Sequence, residues 1–258
     1  MVALEARLLT KCYVPSVPAV RDLSFCLTEG QVLGFVGPNG SGKSTTVKML
    51  TGLLQPTRGE VLWCGAAIQH DLLQYREQLG YVPEEADLYP FLSGWEYLEF
   101  VGTLRGVPRK TLTAKIDALL ELFLLGPHRH SAIGSYSKGM RQRVMLIASL
   151  LHDPSLLIFD EPLSGLDVTS AMIVKNLIRT LAERGKAILY CSHVLEVVEK
   201  VCSHIIVLRN GRTLAYGPPS DVMKSAGQPS LEHAFAYLVE GGDAVQAARD
   251  IAAVMSAT

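Results

Sequence analysis

The segment GPNGSGKS, residues 37 to 44, constrains the possible fold of this chain more than any other stretch. An apolar run from Val32 to Val36 precedes it and predicts a short buried strand. A helix is predicted to follow, from about Gly42 to Leu53. A glycine-rich loop between a strand and a helix is typical of α/β folds, where backbone N–H groups at the helix N-terminus form an anion site. We therefore expect an α/β fold and a ligand that carries phosphate.

The spacing of this segment fits the P-loop motif. Its glycines let backbone N–H groups surround phosphate oxygens, Lys43 reaches the β and γ phosphates, and Ser44 supplies a hydroxyl to Mg²⁺. A chance glycine-rich turn is the alternative, and the strand before the loop and the helix after it disfavour that alternative. The predicted nucleotide contacts in the motif are Gly37, Pro38, Asn39, Gly40, Ser41, Gly42, Lys43, Ser44 and Thr45.

The rest of the chain alternates between strand and helix patterns. Period-two alternation in VRDLSFCLTEG and GEVLWCGAAI predicts antiparallel strands beside the nucleotide loop. LLIFDEP and KAILYCSH are predicted to be buried strands, and the amphipathic helix AMIVKNLIRTLAERG between them favours a parallel sheet with crossover helices. Asn210-Gly211 between two apolar runs predicts a hairpin. Helical spacing occurs in SGWEYLEFVGTLRG and TLTAKIDALLELFLL, and in SLEHAFAYLV and AVQAARDIAAVM near the C-terminus.

Composition disfavours some classes of partner. The 258 residues include 24 basic and 25 acidic ones, with a formal charge of −1 and no run of like charge, so nucleic-acid binding is not expected. The N-terminus lacks a basic region followed by an apolar stretch, and no apolar run approaches the roughly 18 residues of a membrane span. We expect a cytoplasmic protein whose membrane role, if it has one, depends on a partner.

The cysteines have no Cys-x-x-Cys spacing, and their odd number fits poorly with a disulfide framework. The sequence therefore predicts reduced, buried thiols. The five residues are Cys12, Cys26, Cys64, Cys191 and Cys202.

Polar residues follow two of the predicted buried strands. Asp160 and Glu161 close LLIFDEP at its carboxyl end, where ligands of open α/β sheets bind. Asp160 is expected to hold Mg²⁺, and Glu161 is expected to be free to polarise an attacking water. The alternative is that both acids cap the next helix. His193 ends AILYCSH, the next strand in sequence, and its place at a strand end favours a contact with a γ-phosphate.

Several motifs together resemble an ATP-binding cassette (ABC) ATPase. YSKGM at 136 to 140, SGLD at 164 to 167 and His193 follow the P-loop in the order and approximate spacing of that family, and the match runs from about residue 4 to 218. YSKGM stands where most members have Leu-Ser-Gly-Gly-Gln. It resembles the variant common in nucleotide-binding subunits of bacterial type-2 exporters, with Lys138 and Met140 as departures from the commonest pattern.

The resemblance implies a fold and a domain organisation. The fold expected is an α/β P-loop NTPase with a RecA-like core, a mainly parallel sheet, an antiparallel β subdomain and an inserted α-helical subdomain. The ABC ATPase domain would span 1–218, with the helical insert at about 85–150, and 219–258 would form a short helical extension. The helical spacing of that extension favours packing against the cassette or against a second copy, with a frayed end as the alternative for about the last 15 residues.

The resemblance also implies roles for residues outside the P-loop. Two subunits of this family pack head to tail, so Ser137 and the N–H group of Gly139 would contact the γ-phosphate held by the other subunit, and Asp167 would connect the two sites. Glu84 stands where the family usually has a glutamine that senses Mg²⁺ and water, with a surface turn as the alternative. Tyr13 lies where the family has an aromatic that stacks on adenine, and a core tyrosine is the alternative.

Two arginines and four aromatic residues have weaker predictions. Arg141 and Arg143 either add positive potential to the signature or are solvated surface. A groove beside the Glu84 loop is expected to receive a coupling helix from a membrane partner. Its candidate aromatic residues, for each of which helical core is the alternative, are Tyr89, Phe91, Trp95 and Tyr97.

The function implied is that of an ATP-hydrolysing, Mg²⁺-dependent subunit of an ABC transporter. It would dimerise with itself or a paralogous subunit and power transport, with export favoured, through a separate transmembrane permease. Its place would be the cytoplasmic side of the membrane, bound through that permease. A soluble ABC protein acting on ribosomes or DNA is an alternative, as is a P-loop kinase, which leaves YSKGM, SGLD and His193 unexplained. The sequence does not identify the transported substrate.

Overall fold

The computed structural model describes residues 1–15, 17–85, 87–240 and 252–255. Within these residues the strands form two sheets, one of six strands and one of four. In chain order the strands are β1 (Val2–Val14), β2 (Val17–Thr28), β3 (Val32–Val36), β4 (Arg58–Trp63), β5 (Ala66–Ala67), β6 (Leu79–Val82), β7 (Leu156–Asp160), β8 (Ala187–Cys191), β9 (His204–Arg209) and β10 (Arg212–Gly217).

The six-stranded sheet has the order β10-β9-β3-β8-β7-β6 and is parallel except for β10, which pairs antiparallel with β9. Every residue of β3, β7 and β8 is buried, as expected for parallel strands that are covered on both faces. The predicted hairpin is present, because Asn210 and Gly211 join β9 to β10 with positive φ angles of 49° and 74°. Because β3, β8 and β7 are neighbouring parallel strands, their carboxyl ends lie side by side.

The four-stranded sheet is antiparallel, with the order β2-β1-β4-β5. Its inner face packs on one side of the parallel sheet, where Phe25 of β2 meets Phe35 of β3 edge to face at 5.1 Å between ring centroids. The predicted strands on either side of the P-loop unit thus share one sheet, with β1 at its centre.

The helices of eight or more residues include the one that follows the P-loop, the three that follow β6 and the one after SGLD. In chain order the α-helices that the structure describes up to residue 240 are α1 (Lys43–Leu50), α2 (Leu72–Glu77), α3 (Gly94–Leu104), α4 (Arg109–Leu122), α5 (Lys138–Leu150), α6 (Val168–Glu183), α7 (Leu195–Val201), α8 (Pro219–Ser225) and α9 (Leu231–Glu240). Residues 252–255 are also helical.

The end of α1 corrects the sequence prediction. The helix ends at Leu50 rather than at Leu53. Gly52, with φ at 69°, donates its N–H to Met49 O at 3.1 Å, and Leu53 donates to Lys48 O at 2.9 Å. This pair of bonds is the Schellman motif, in which a left-handed glycine terminates a helix although the apolar pattern continues.

Helices α3, α4 and α5 form a helical layer beside the sheet. Ser93 and Glu96 form a capping box at the start of α3. The indole Nε1 of Trp95 donates to Asp117 Oδ1 of α4 at 3.1 Å. Arg143 of α5 donates to Phe123 O at 3.0 Å, at the carboxyl end of α4, where a positive charge is favourable. Arg143 therefore joins two helices.

The segment after β10 packs against the rest of the chain up to Glu240. Val222 of α8, and Leu231 and Val239 of α9, belong to the core cluster that also contains Val198 of α7. Packing against the cassette is thus observed for α8 and α9. The last predicted helix, AVQAARDIAAVM, lies mostly outside the described residues, and the domain boundaries at 218 and about 85–150 stay a prediction.

The prediction of five buried thiols is wrong for three of them. Cys191 and Cys202 are buried in and beside the parallel sheet, whereas Cys12 and Cys26 are half-buried and Cys64 is exposed. Cys64 follows β4 in a turn, where its φ angle is 48°. All five are free, as predicted.

Candidate nucleotide-binding and catalytic site

The P-loop forms an open backbone cradle at the carboxyl end of β3. Gly40 has a φ of 76°, and no atom lies within 4 Å of the position a Cβ would take there. Gly42 has a φ of 105°, and a Cβ there would lie 2.7 Å from Ala19 O. Gly40 is therefore favoured by its positive φ alone, whereas at Gly42 a side chain would also collide with the backbone.

Lys43 bridges the two ends of this cradle. Its Nζ atom donates to Gly37 O at 2.5 Å and to Pro38 O at 3.1 Å. The buried Oγ atom of Ser41 has no hydrogen-bond partner among the described residues. The ammonium group of Lys43 can therefore exchange these two neutral carbonyls for a phosphate oxygen, which is a stronger acceptor because it is anionic. The hydroxyl of Ser41 is available to the same ligand.

One cleft has a volume of about 290 Å³. It brings together residues at the carboxyl ends of β3, β7 and β8 and Glu84 from the loop after β6. Most of the predicted nucleotide and metal contacts face it, so sequence positions as distant as 40 and 193 share one site. Its lining consists of Ala19, Asn39, Gly40, Gly42, Lys43, Ser44, Thr45, Glu84, Asp160, Glu161 and His193.

Asp160 is the buried acid of this cleft, with 6% of its surface exposed. Burial raises the pKa of its carboxyl from 3.8 to about 6, and the nearby charges of Glu84 and Glu161 act in the same direction. Lys43 opposes the shift. The site thus holds more negative charge than its own lysine balances, and a bound cation would favour the ionised form of Asp160.

The carboxylate of Glu161 is held by the turn after β8. Ser192 Oγ donates to its Oε2 atom at 3.0 Å, and the backbone N–H of His193 donates to its Oε1 atom at 2.8 Å. The φ angle of Glu161 is 49°, an uncommon conformation for a residue other than glycine. Both carboxylate oxygens are therefore hydrogen-bonded, because β7 and β8 are adjacent and their ends meet, and the role of Glu161 towards water stays a prediction.

Ser192 is a contact that the sequence analysis missed. It is 3% exposed and also accepts a hydrogen bond from Val194 N at 3.2 Å. Its position directly before His193, at the end of a buried strand, was the available signal. The ring of His193 is near the same carboxylate, with Nδ1 at 2.8 Å from Glu161 Oε1, and its side chain is 77% exposed at the mouth of the cleft.

The signature YSKGM begins helix α5. Ser137 caps this helix, since its Oγ atom accepts from Met140 N at 3.2 Å. Gly139 is buried against the backbone of Gly165 in SGLD, and a Cβ there would collide with the Gly165 carbonyl. Neither Ser137 nor Gly139 is among the residues that line the cleft.

A second missed residue joins the signature helix to the loop after β7. Gln142 is 3% exposed, and its Nε2 atom donates to Pro162 O at 3.2 Å and lies 3.5 Å from Glu161 O. No motif identified in the sequence contains Gln142. The contact depends on how α5 approaches that loop in three dimensions.

Asp167 and Tyr13 are predicted contacts that do not line the cleft. Asp167 caps α6 on its own chain, because its carboxylate accepts from Ser170 N at 2.9 Å and from Ser170 Oγ at 2.7 Å. These two hydrogen bonds lower the pKa of the Asp167 carboxyl. Tyr13 is 61% exposed, which excludes the alternative of a core tyrosine. Its hydroxyl lies 3.4 Å from Thr45 Oγ1 of the P-loop, and Lys11 Nζ lies 5.8 Å from the ring centroid.

A glycine cradle at a helix N-terminus, with a lysine, a buried acid and a second carboxylate at adjacent strand ends, defines a P-loop NTPase. Comparison with known proteins identifies the family within that class. The family model described as ABC transporter matches residues 20–164. This chain belongs to the ABC transporter family, as an ATP-binding cassette ATPase.

Relatives in bacteria support the same assignment. The uncharacterised ATP-binding protein YhcH of Bacillus subtilis is 40% identical over 76% of this chain, and the match spans 63% of that protein. NatA of Bacillus subtilis is 34% identical over 87% of this chain and 92% of its own length. The Nod factor export ATP-binding protein I of Cupriavidus pinatubonensis is 36% identical over 86% of this chain and 68% of its own length.

Solved structures confirm the predicted α/β P-loop NTPase fold. An ATP-binding subunit of an ABC transporter has a TM-score of 0.86 and 31% identity, covering 92% of this chain and 99% of that chain. A dimeric cassette, MJ0796, in a post-hydrolysis state with ADP and Pi, has a TM-score of 0.76 and 23% identity, covering 83% of this chain and 98% of that chain. The second likeness shows the fold alone.

Proposed function

We propose that this chain hydrolyses ATP as a subunit of an ABC transporter and works as a head-to-tail dimer with a second copy or a paralogous subunit. The observation that carries this proposal is that the predicted phosphate contacts fall into two separate groups on one chain. Lys43, Asp160 and Glu161 line one cleft, while Ser137 and Gly139 do not line it. A second chain that presents its own signature would complete the site.

The cleft suits ATP together with Mg²⁺. No group of three or more His, Cys, Asp or Glu side chains within the described residues is arranged to hold a metal. Magnesium in such enzymes is bound through one or two protein ligands together with substrate phosphates. Asp160 and Ser44, with Glu84 at the same cleft, are a donor set of this kind. When bound, Mg²⁺ neutralises charge that develops on the transferred phosphoryl group.

The side chains supply positioning and charge. Lys43 exchanges the carbonyls of Gly37 and Pro38 for phosphate oxygens, a gain because an anionic acceptor adds Coulomb attraction that a neutral carbonyl lacks. Glu161, held at both carboxylate oxygens, orients the attacking water. The exposed ring of His193 can turn towards the γ-phosphate while its backbone N–H stays on Glu161.

Replacement of Glu161 with glutamine tests the assignment of the base. The Glu161→Gln chain should bind ATP, lose at least about a hundredfold in turnover, as expected for removal of a general base, and form an ATP-dependent dimer. Steady-state ATPase assays and size-exclusion chromatography with ATP measure these properties. Glu77→Gln, on an exposed face of α2, is the matched control and should match the parent chain. Unchanged turnover in Glu161→Gln would remove this residue from the mechanism.

A mixture of two inactive chains tests the dimer. Ser137→Arg disables the signature of one chain, and Lys43→Ala disables the P-loop of the other. In a head-to-tail dimer the Ser137→Arg chain keeps its own P-loop and receives an intact signature, so one of two sites should work. Recovery of about half of the parent ATPase activity per dimer is expected. A verified mixed dimer without activity would count against the arrangement in trans.

The segment before α3, together with Phe100 of α3, offers a surface for a membrane partner. Tyr89 is 58% exposed and Phe91 is 93% exposed. Tyr89 meets Phe100 edge to face at 6.1 Å between ring centroids, which makes an exposed aromatic cluster beside the Glu84 loop. Trp95 and Tyr97 instead pack partly into the helical core. We assign the surface of Tyr89, Phe91 and Phe100 to a permease contact.

A permease is the partner that would place this chain at the cytoplasmic face of a membrane. No helix among the residues that the structure describes is long and apolar enough to cross a bilayer. Export is favoured by the relative that is named for Nod factor export. Affinity purification from membranes should recover a polytopic protein with the tagged chain, and Phe91→Ser should weaken this recovery. Recovery of ribosomes or DNA alone would favour the soluble alternative.

A further inference from the structure

The signature helix and the loop that carries Glu161 are in direct contact within one chain. Gln142 lies on α5 about one and a half turns after Ser137, and it is 3% exposed. Its Nε2 atom donates to Pro162 O at 3.2 Å and lies 3.5 Å from Glu161 O. A single buried amide therefore contacts the carbonyl oxygens of two successive residues, the proposed base and the proline after it.

The same two segments also meet through their backbones. Gly139, in the first turn of α5, is so close to the carbonyl of Gly165 that an added Cβ would collide with it. Gly165 itself has a positive φ of 73°, a conformation that favours glycine. Because backbone atoms occupy this contact, the first turn of α5 cannot shift without moving residues 161–165 as well.

We propose that Gln142 is a positioning residue that links the two half-sites of one chain. This inference rests on the proposed head-to-tail dimer, in which Ser137 serves the partner's ATP while Glu161 serves the ATP of its own P-loop. Through its contacts Gln142 supports two parts of its chain at once. These are the start of α5, which presents Ser137 to the partner's ATP, and the backbone of Glu161 and Pro162, which carries the base for the chain's own ATP. Loss of the amide should therefore impair both half-sites.

The chemistry of the contact suits this role better than simple packing does. An apolar side chain of the same size would fill the same space, but it would leave the Pro162 carbonyl without the donor that Gln142 supplies. A buried carbonyl without a donor is costly, so the loop would move to find another partner. Gln142 does not line the nucleotide cleft, and its loss should lower kcat while leaving the KM for ATP unchanged.

The test uses full-length mixed dimers with one working site. In these dimers the Ser137→Arg chain is the catalytic subunit, because it supplies the working P-loop and Glu161. The Lys43→Ala chain is the signature subunit, because it supplies the working Ser137. Gln142→Leu is introduced into either subunit alone, and kcat and KM for ATP are measured in each case.

A link between the half-sites predicts that kcat falls about five- to tenfold in both placements, a loss comparable to one hydrogen bond. A fall only in the catalytic subunit would show that Gln142 supports its own Glu161 and nothing else. A fall only in the signature subunit would show that it supports the signature alone. Either of these results, or no fall in either placement, overturns the proposed link.

Controls separate this inference from the proposed function and from misfolding. A parent mixed dimer that is inactive before Gln142 is changed counts against the dimer proposal, not against Gln142. Ser149→Ala removes a buried hydroxyl of α5 that bonds within the helix at 2.7 Å, and it should leave kcat unchanged in both placements. If Gln142→Leu does not fold, Gln142→Met is closer to glutamine in length and also lacks the donor, so the same pattern is expected from it.

Discussion

Replacing Asp160 with asparagine should stabilise the nucleotide-free chain while it removes a proposed Mg²⁺ ligand. Burial, with Glu84 and Glu161 nearby, raises the pKa of the Asp160 carboxyl from 3.8 to about 6. An acid whose pKa is higher in the folded chain than in the unfolded chain is harder to ionise when folded, so its ionisation lowers the free energy of unfolding. At about 1.4 kcal/mol per pKa unit, the cost above pH 6 is about 3 kcal/mol.

The pH dependence follows from the direction of this pKa shift. The cost is complete above the folded pKa of about 6 and disappears below the unfolded value of 3.8. As the pH falls through this window, Asp160 contributes less destabilisation to the parent chain. Asparagine carries no charge at any pH, so the advantage of Asp160→Asn should be about 2 to 3 kcal/mol at pH 8 and about half as large at pH 5.

Urea unfolding of the full chain without nucleotide or Mg²⁺, at pH 8 and pH 5, measures this difference. Asp71→Asn is the matched control because Asp71 is exposed and its Oδ1 atom accepts from Gln74 N at 2.9 Å, a cap that asparagine also provides. The control should lie within about 0.5 kcal/mol of the parent chain. An Asp160→Asn chain that gains no stability, or gains the same amount at both pH values, would refute the reasoning. The Asp160→Asn variant should also lose ATP hydrolysis, because it lacks the proposed Mg²⁺ ligand.

Two further predictions concern contacts at the edge of the cleft. Ser192→Ala removes the 3.0 Å bond to Glu161 Oε2, and loss of a bond to a charged group, about 1.5 to 3 kcal/mol, should lower kcat about tenfold or more with the KM for ATP unchanged. Ser192→Thr should restore turnover, and an unaltered kcat in the alanine variant would contradict the role. Tyr13→Ala should weaken ATP binding about tenfold in calorimetry, because stacking on a base contributes about 1 to 3 kcal/mol, whereas Tyr13→Trp should retain affinity. Equal affinities in all three chains would exclude Tyr13 as the base platform.

Much of the fold was predictable because its signals are local. The hairpin at Asn210-Gly211 depends on two residues with positive φ, and the P-loop depends on glycines between a strand and a helix. The end of α1 was missed because the apolar pattern continues to Leu53 although the left-handed Gly52 stops the helix. The exposure of Cys64 was missed because it depends on which way a turn after β4 faces.

The sequence by itself determined the chemical inventory of the site. Glycines, Lys43, Asp160 and Glu161 stand at strand ends, and parallel strands bring their carboxyl ends to one edge of a sheet, so the presence of a phosphate site follows from local pattern. The order of the strands was not determined locally, because it depends on long-range pairing.

Tertiary structure alone decided how these groups are held. Placing β8 between β7 and β3 brings Ser192 and His193 against Glu161, so the carboxylate of Glu161 is held at both oxygens. The approach of α5 to the loop after β7 buries Gln142 against two carbonyls. No local pattern encodes such contacts, because a side chain bonds to whatever backbone the fold brings within about 3 Å of it.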